Sequence, residues 1–188
     1  MLAICGLGNP GRRYLNTRHN VGYKFIDQIL LKHKFTILNK NKSIEIYKGK
    51  VKNHRLVLLR PLTFMNLSGT IIGKFLNFYK ISKKNLIVIH DDLDLKTGKV
   101  KIKTGGGNAG HNGLNSIDNV IGNSYKRLRI GIGHPGNKTL VNRHVLSKFK
   151  LNEKKIIDKV IALSVEHIDN LLTNRELFLT KINYLIHK

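Results

Sequence analysis

The chain has one cysteine, three prolines and only 11 acidic residues among 188, and each shortage removes a class of protein. Cys5, in the apolar start LAICGL, permits neither an internal disulfide nor a multi-cysteine zinc cluster, and reads as a buried, inert thiol. With so few prolines and no low-complexity tract or repeat, no linker divides the chain. No apolar run approaches the roughly 18 to 20 residues needed to cross a bilayer. The N-terminus lacks a basic region followed by a cleavage pattern, so a cytoplasmic protein without a membrane partner is expected. G-K-[ST] is missing, which rules out a P-loop NTPase, and the absence of G-x-S-x-G leaves no serine elbow in view.

Positive charge is abundant. Lys and Arg number 34 against 11 Asp and Glu, a net charge of +23. Such a field attracts phosphates and releases their condensed counterions, which makes nucleic acid the first partner to consider. A solvated lysine surface is the plainer account, but Arg12, Arg13, Arg18 and Arg60 also gather near glycine-marked turns. The length suits a single domain able to bury roughly 70% of its unfolded surface.

Periodicity predicts a strand over residues 2–7, a helix over Val21–Leu31, and a hairpin from Ser43–Val51 and Arg55–Leu59. A second helix is predicted over Leu67–Tyr79, with Asn66 or Ser68 as its cap. Strands are predicted at Leu86–Ile89, Val100–Lys103 and Arg127–Ile132, with a helix at Asn112–Ile121 opened by a glycine loop. Residues 151–188 form a basic, helical C-terminal segment with an apolar stripe at Ile156, Ile157, Val160, Ile161, Ile168, Leu171 and Leu172. Thr173 and Glu176 have capping-box spacing for its last helix. The expected fold is α/β: a single globular domain, 1–188, with a twisted mixed β-sheet flanked by helices on both faces.

Three turns carry the chemistry: GLGNPGRRYLNTRHNVG from Gly6, RPLTFMNLSG from Arg60 and IHDDLDLKTGKVKIKTGGGNAGHNG from Ile89. The first is not G-x-G-x-x-G, and Pro10 removes a backbone donor that a dinucleotide loop would use. Histidine and carboxylate acting on water remain, because a mostly unprotonated imidazole can take a proton when a carboxylate holds its tautomer. His19, His90, His111, Asp91, Asp92 and Asp94 all qualify, and spacing does not choose among them. Asn9, Asn66 and Asn112 have plainer roles as turn former and helix caps. Taken together, neutral amides beside a histidine and an aspartate suit an amide backbone and a developing oxyanion. Lys101 and Lys103 share a strand face leading into the glycine loop, a phosphate site or else a solvated face.

In order and spacing, GLGNPGRRYLNTRHNVG, RPLTFMNLSG, HDDLDL, GGGNAGHNGLNSI and RLRIGIGHPG resemble the signatures of bacterial-type peptidyl-tRNA hydrolases, up to about Lys148. The resemblance implies a monomeric enzyme without metal or cofactor that cleaves the ester between peptide and tRNA 3′ ribose of peptidyl-tRNA. Carried over, it implies His19 as general base, oriented by Asp91. Asn66 and Asn112 would grip the peptide or its carbonyl, with Asn9 holding water and His19. Tyr14 and Met65 would shape the wall, His111 would support the cleft, and Lys103 with Arg129 would hold the tRNA 5′ phosphate. Ala109 stands where the family often has glycine. Beyond Leu151 the likeness is only helical and basic character, with tRNA contact expected from Lys154, Lys155 and Lys159. Two rivals are a non-catalytic RNA-binding protein of the same fold, as in a plant relative serving splicing, and a metal-dependent phosphodiesterase using His90, Asp91, Asp92 and Asp94. Adjacent strand residues point to opposite faces, which disfavours the latter.

Overall fold

In the computed structural model, which describes residues 1–186, the even and odd positions of the central strands build two separate cores. The strands are β1 (Leu2–Gly6), β2 (Phe35–Lys40), β3 (Ile44–Val51), β4 (His54–Pro61), β5 (Leu86–Asp92), β6 (Val100–Thr104) and β7 (Lys126–Gly131). They form one sheet in the order β2-β3-β4-β1-β5-β7-β6. β1 runs parallel to β4 and β5, and β5 parallel to β7, while β2, β3 and β6 pair antiparallel.

Ile4, Leu58, Ile87, Ile89, Leu128 and Ile130 face a layer made by α1 (Val21–Lys32), α5 (Leu151–Glu166), α6 (Ile168–Thr173) and α7 (Arg175–Ile186). Cys5, Val57, Leu59, Leu86 and Val88 face α2 (Ser68–Phe78) and α3 (Asn112–Ile121) on the other side. Each fully buried aliphatic or aromatic side chain contributes roughly 1.5–3 kcal/mol. A short helix, α4 (Val141–Val145), follows β7. Among the described residues no helix is long and apolar enough to cross a membrane.

β2 was not anticipated: FTILNK is exposed along nearly all its length, so it carries no burial pattern and exists through pairing with β3. Ile156, expected in the apolar stripe, is 40% exposed, while Ile157, Val160 and Ile161 are buried. The basic segment is helical through Ile186, and its last two positions lie outside the described residues.

Three capping expectations are corrected. Leu67 occupies the cap position of α2 without a side-chain bond, because Asn66 is taken into the preceding turn Met65–Leu67 and Ser68 is already helical. His111, not Asn112, caps α3 by accepting the N–H groups of Gly113 and Leu114 at Nδ1. Asn174, not Thr173, caps α7 by accepting from Leu177 N–H, and the Thr173 hydroxyl instead donates to Asp169 O one turn back.

Because β1, β4, β5 and β7 are parallel, their C-terminal ends share one edge, the place where open α/β sheets bind ligands. Gly22 brings α1 directly against that edge. A Cβ there would lie 2.4 Å from Leu7 N and 2.5 Å from Ile89 O. Only glycine lets the helix start so near β5, which brings the preceding turn within reach of Asp91.

Candidate active site

His19 sits in the three-residue turn Arg18–Asn20 that leads into α1, and Asp91 is the penultimate residue of β5. The His19 Nδ1–H donates to both Asp91 oxygens, at 2.9 and 3.0 Å. Burial alone would lower the His19 pKa, but the Asp91 charge and hydrogen bond override it and hold it above its ordinary value. Burial would likewise raise Asp91, and His19 and His111 together drive it well below the usual carboxylate range. The pair is a buried carboxylate that fixes an imidazole tautomer and leaves Nε2 as the unprotonated nitrogen of a histidine that lines the adjoining cavity.

A second imidazole shares this carboxylate. His111 Nε2 lies 3.1 Å from Asp91 Oδ1, and its ring stands 4.8 Å from that of His19. Since His111 Nδ1 accepts two backbone N–H groups at the start of α3, its proton must sit on Nε2 and be donated to Asp91. That arrangement bears on metal binding. The ligand atoms of His19, Asp91 and His111 lie within 4.8 Å of one another. Yet His111 Nε2 has no lone pair to give while Nδ1 serves as the helix cap, so the donor set does not fit a divalent ion.

His90 is withdrawn from acid-base chemistry. Its Nδ1–H donates to Asp91 O at 2.7 Å, and burial, aided by His111, pushes its pKa down to about 3. Asp92 accepts from Arg129 Nε at 2.6 Å and not from either histidine, so although Asp91, Asp92 and Asp94 all border the same cavity, only Asp91 serves the imidazoles.

The asparagines knit the first two motifs together. Asn9 Oδ1 accepts Met65 N–H at 2.8 Å, while Asn9 and Asn20 exchange two further bonds, Asn9 N–H to Asn20 Oδ1 and Asn20 Nδ2 to Asn9 O. Asn9 thus reaches His19 through Asn20, which directly follows the histidine but carries no signal in the sequence beyond its place in TRHN. Met65 packs against the start of α3, with its sulfur where a Cβ on Gly113 would fall. Tyr14 makes an edge contact with the exposed Phe64 at 6.4 Å, and Arg13 lies over its ring.

The cavity at this edge measures ≈ 420 Å³, and its lining includes His19, His90, Asp91, Asp92, Asp94, His111, Asn112 and, from the far wall, His134, Lys138, Val141 and Asn142. Asn9, Tyr14, Met65 and the exposed Asn66 lie outside that lining. His134 lies within the motif RLRIGIGHPG, where nothing in the sequence singles it out, and α4 follows that motif in a segment that reads as an ordinary polar loop.

Four cations share the outer part of the sheet on the α3 side. Lys101 pairs with Arg129 and Lys103 with Arg127, so Lys103 and Arg129 are diagonal neighbours rather than direct ones. Arg127 is buried and holds the carbonyls of Gly105, Gly106 and Gly107, which carries the glycine segment across this face. Ala109 adopts φ 50, a left-handed conformation that favours glycine.

The family described as Peptidyl-tRNA hydrolase matches residues 3–186. The chain is 46% identical to the peptidyl-tRNA hydrolase of Bartonella quintana over 97% of this chain and 95% of the relative. It is 45% identical to that of Chelativorans sp., covering 94% of this chain and 74% of the other. The crystal structure of peptidyl-tRNA hydrolase from Acinetobacter baumannii superposes with a TM-score of 0.91 at 40% identity, covering 97% of this chain and 94% of that one. A family match along nearly the whole chain, joined to the same fold, means that this chain belongs to the peptidyl-tRNA hydrolase family.

Proposed function

We propose that this protein hydrolyses the ester joining a peptide to the 3′ ribose of tRNA, with His19 as general base and Asp91 as its partner. The observation that carries the reading is the buried His19–Asp91 contact of 2.9 Å, made through Nδ1 by a histidine that lines a cavity at the sheet's C-terminal edge. His19 Nε2 takes a proton from water as its oxygen attacks the ester carbonyl, and Asp91 stabilises the imidazolium. Collapse of the tetrahedral intermediate breaks the bond to the ribose oxygen, which takes the proton back from Nε2. Asn112 at the cavity supplies an amide donor for the oxyanion, an effect worth roughly a hundredfold or more.

Asn9, Asn66, Met65 and Tyr14 serve the peptide and the tRNA 3′ end. Asn9 Oδ1 is already committed to Met65 N–H, so its Nδ2 is the group offered to substrate or water. His111 supports the cleft by sharing Asp91, and Lys103 with Arg129 receives a tRNA phosphate. An aminoacyl-tRNA, with an α-ammonium in place of a peptide amide, leaves asparagine donors facing a charge and reacts poorly. The enzyme acts as a monomer and needs no metal.

The test is release of N-acetyl-amino acid from N-acetyl-aminoacyl-tRNA in EDTA by the wild type and by His19→Ala, with tRNA binding measured in parallel. Hydrolysis by the wild type, lost on the order of a hundredfold in the variant with binding intact, is expected. Binding without hydrolysis in both would turn the scaffold into an RNA-recognition protein and overturn the reading.

A further inference from the structure

The turn that carries His19 has only three residues and no side-chain cap before it runs into α1, and a short turn of this kind is intrinsically weak. Asp91 holds the imidazole and Asn9 holds Asn20, and a further anchor comes from Arg18. Arg18, the neighbour of His19, is only 4% exposed. Its Nη1 donates to Ser147 Oγ at 2.7 Å, Lys148 O at 2.8 Å and Ser147 O at 3.3 Å, and its Nη2 donates to Glu153 at 2.6 Å. The guanidinium also lies over the Phe149 ring, 5.1 Å from its centre.

The backbone repeats the connection, since Arg18 N–H donates to Ser147 O at 3.1 Å and Thr17 forms an antiparallel bridge with Lys148. Ser147 Oγ in turn donates to His144 O, and His144 belongs to α4, whose Val141 and Asn142 line the cavity. Glu153 accepts Lys150 N–H at 2.8 Å and so organises the first turn of α5. One buried guanidinium therefore joins the catalytic turn, the far wall of the cleft and the start of the basic helix.

We infer that Arg18 is a positioning residue for the reaction, one that seats His19 against the Ser147–Glu153 segment without touching substrate. This inference rests on the reading of His19 as the base. A guanidinium suits the task, because its planar fork makes several directed bonds at once, which an ammonium cannot reproduce. Misplacing a catalytic group by about 1 Å costs roughly a hundredfold in rate.

The experiment measures kcat, KM and Tm for wild type, Arg18→Lys and Glu153→Gln on N-acetyl-aminoacyl-tRNA, with rates taken well below each Tm. The expected result is a kcat loss of roughly ten- to a hundredfold in Arg18→Lys and about tenfold in Glu153→Gln, with KM within about twofold of wild type. Wild-type kcat in folded variants, whatever their Tm, would reduce Arg18 to a staple of the fold and overturn the inference. Raised KM with unchanged kcat would overturn it too, by making the segment a tRNA contact. If Arg18→Lys does not fold, Glu153→Gln decides by the same criteria. No hydrolysis by the wild type itself would instead refute the proposed function.

Discussion

Replacing Asp91 by asparagine keeps the side chain's shape and removes what the two imidazoles require. In the native site two N–H donors, His19 Nδ1 and His111 Nε2, converge on a carboxylate whose four lone-pair sites accept both. An amide offers one acceptor oxygen and one donor nitrogen. His111 cannot change tautomer without giving up the cap of α3, so it claims the oxygen. The amide NH₂ then faces His19 Nδ1, which must become an acceptor and move its proton to Nε2, the position that has to be free to take one from water. General-base catalysis of this kind is worth roughly 10² to 10⁴, and that is the expected loss in kcat. The Asp91 side chain is 2% exposed and is not expected to touch tRNA, so KM should stay within about threefold.

The pH profile supplies the sign. A base acts in its unprotonated form, so the rate rises through the His19 pKa, which Asp91 holds above the ordinary value of about 6.5. Without the carboxylate only the lowering effect of burial remains, and the ascending limb of any residual activity should shift to lower pH. Single-turnover hydrolysis of N-acetyl-aminoacyl-tRNA from about pH 5 to pH 9 measures both effects. A loss smaller than about tenfold, or a limb that stays in place, would refute the reasoning. The same substitution should flatten the acid side of stability. The depressed Asp91 pKa stabilises the fold fully above the unfolded value of about 3.9, and this contribution is lost as pH falls below it. Urea midpoints of the two proteins should therefore start to converge only below about pH 4 and go on converging as pH falls further, because the folded Asp91 pKa lies well below the unfolded one.

Gly22→Ala places a methyl group within 2.6 Å of three backbone atoms of Leu7 and Ile89. It should destabilise the protein by about 1–3 kcal/mol in a urea titration and lower kcat as His19 is pushed from Asp91, and a neutral result would contradict the close approach. Ala109→Gly relieves a left-handed residue at φ 50. The relief is partly offset by added freedom in the unfolded chain, so stability should be unchanged or rise by up to about 1 kcal/mol, and a loss of that size would be wrong for this backbone. Lys103→Gln should raise KM, leave kcat alone and reduce the salt dependence of tRNA affinity by about one ion, whereas an unchanged slope would remove Lys103 from the phosphate site.

The alternation of strands, the apolar spacing of α1 and α2, and the five ordered motifs are local properties, so the mixed α/β class and the family were legible in the sequence. So was the list of histidines, aspartates and asparagines. The sequence left open which of them meet. His90, Asp91 and Asp92 are consecutive, yet strand geometry sends Asp91 to His19 and Asp92 to Arg129, while burial silences His90. The capping role of His111 depends on where α3 begins, and it is that role which sets the proton facing Asp91. β2 escaped notice because an exposed strand held by its neighbour leaves no burial pattern in the chain. The contacts of Arg18 with Ser147 and Glu153 span more than 120 residues of sequence, and no periodicity can report a partner so distant. The sequence determined which chemical groups the protein owns, because side-chain chemistry and local spacing are written residue by residue. The tertiary structure decided which two groups share a proton, because that depends on distances set only when the helices close on the sheet.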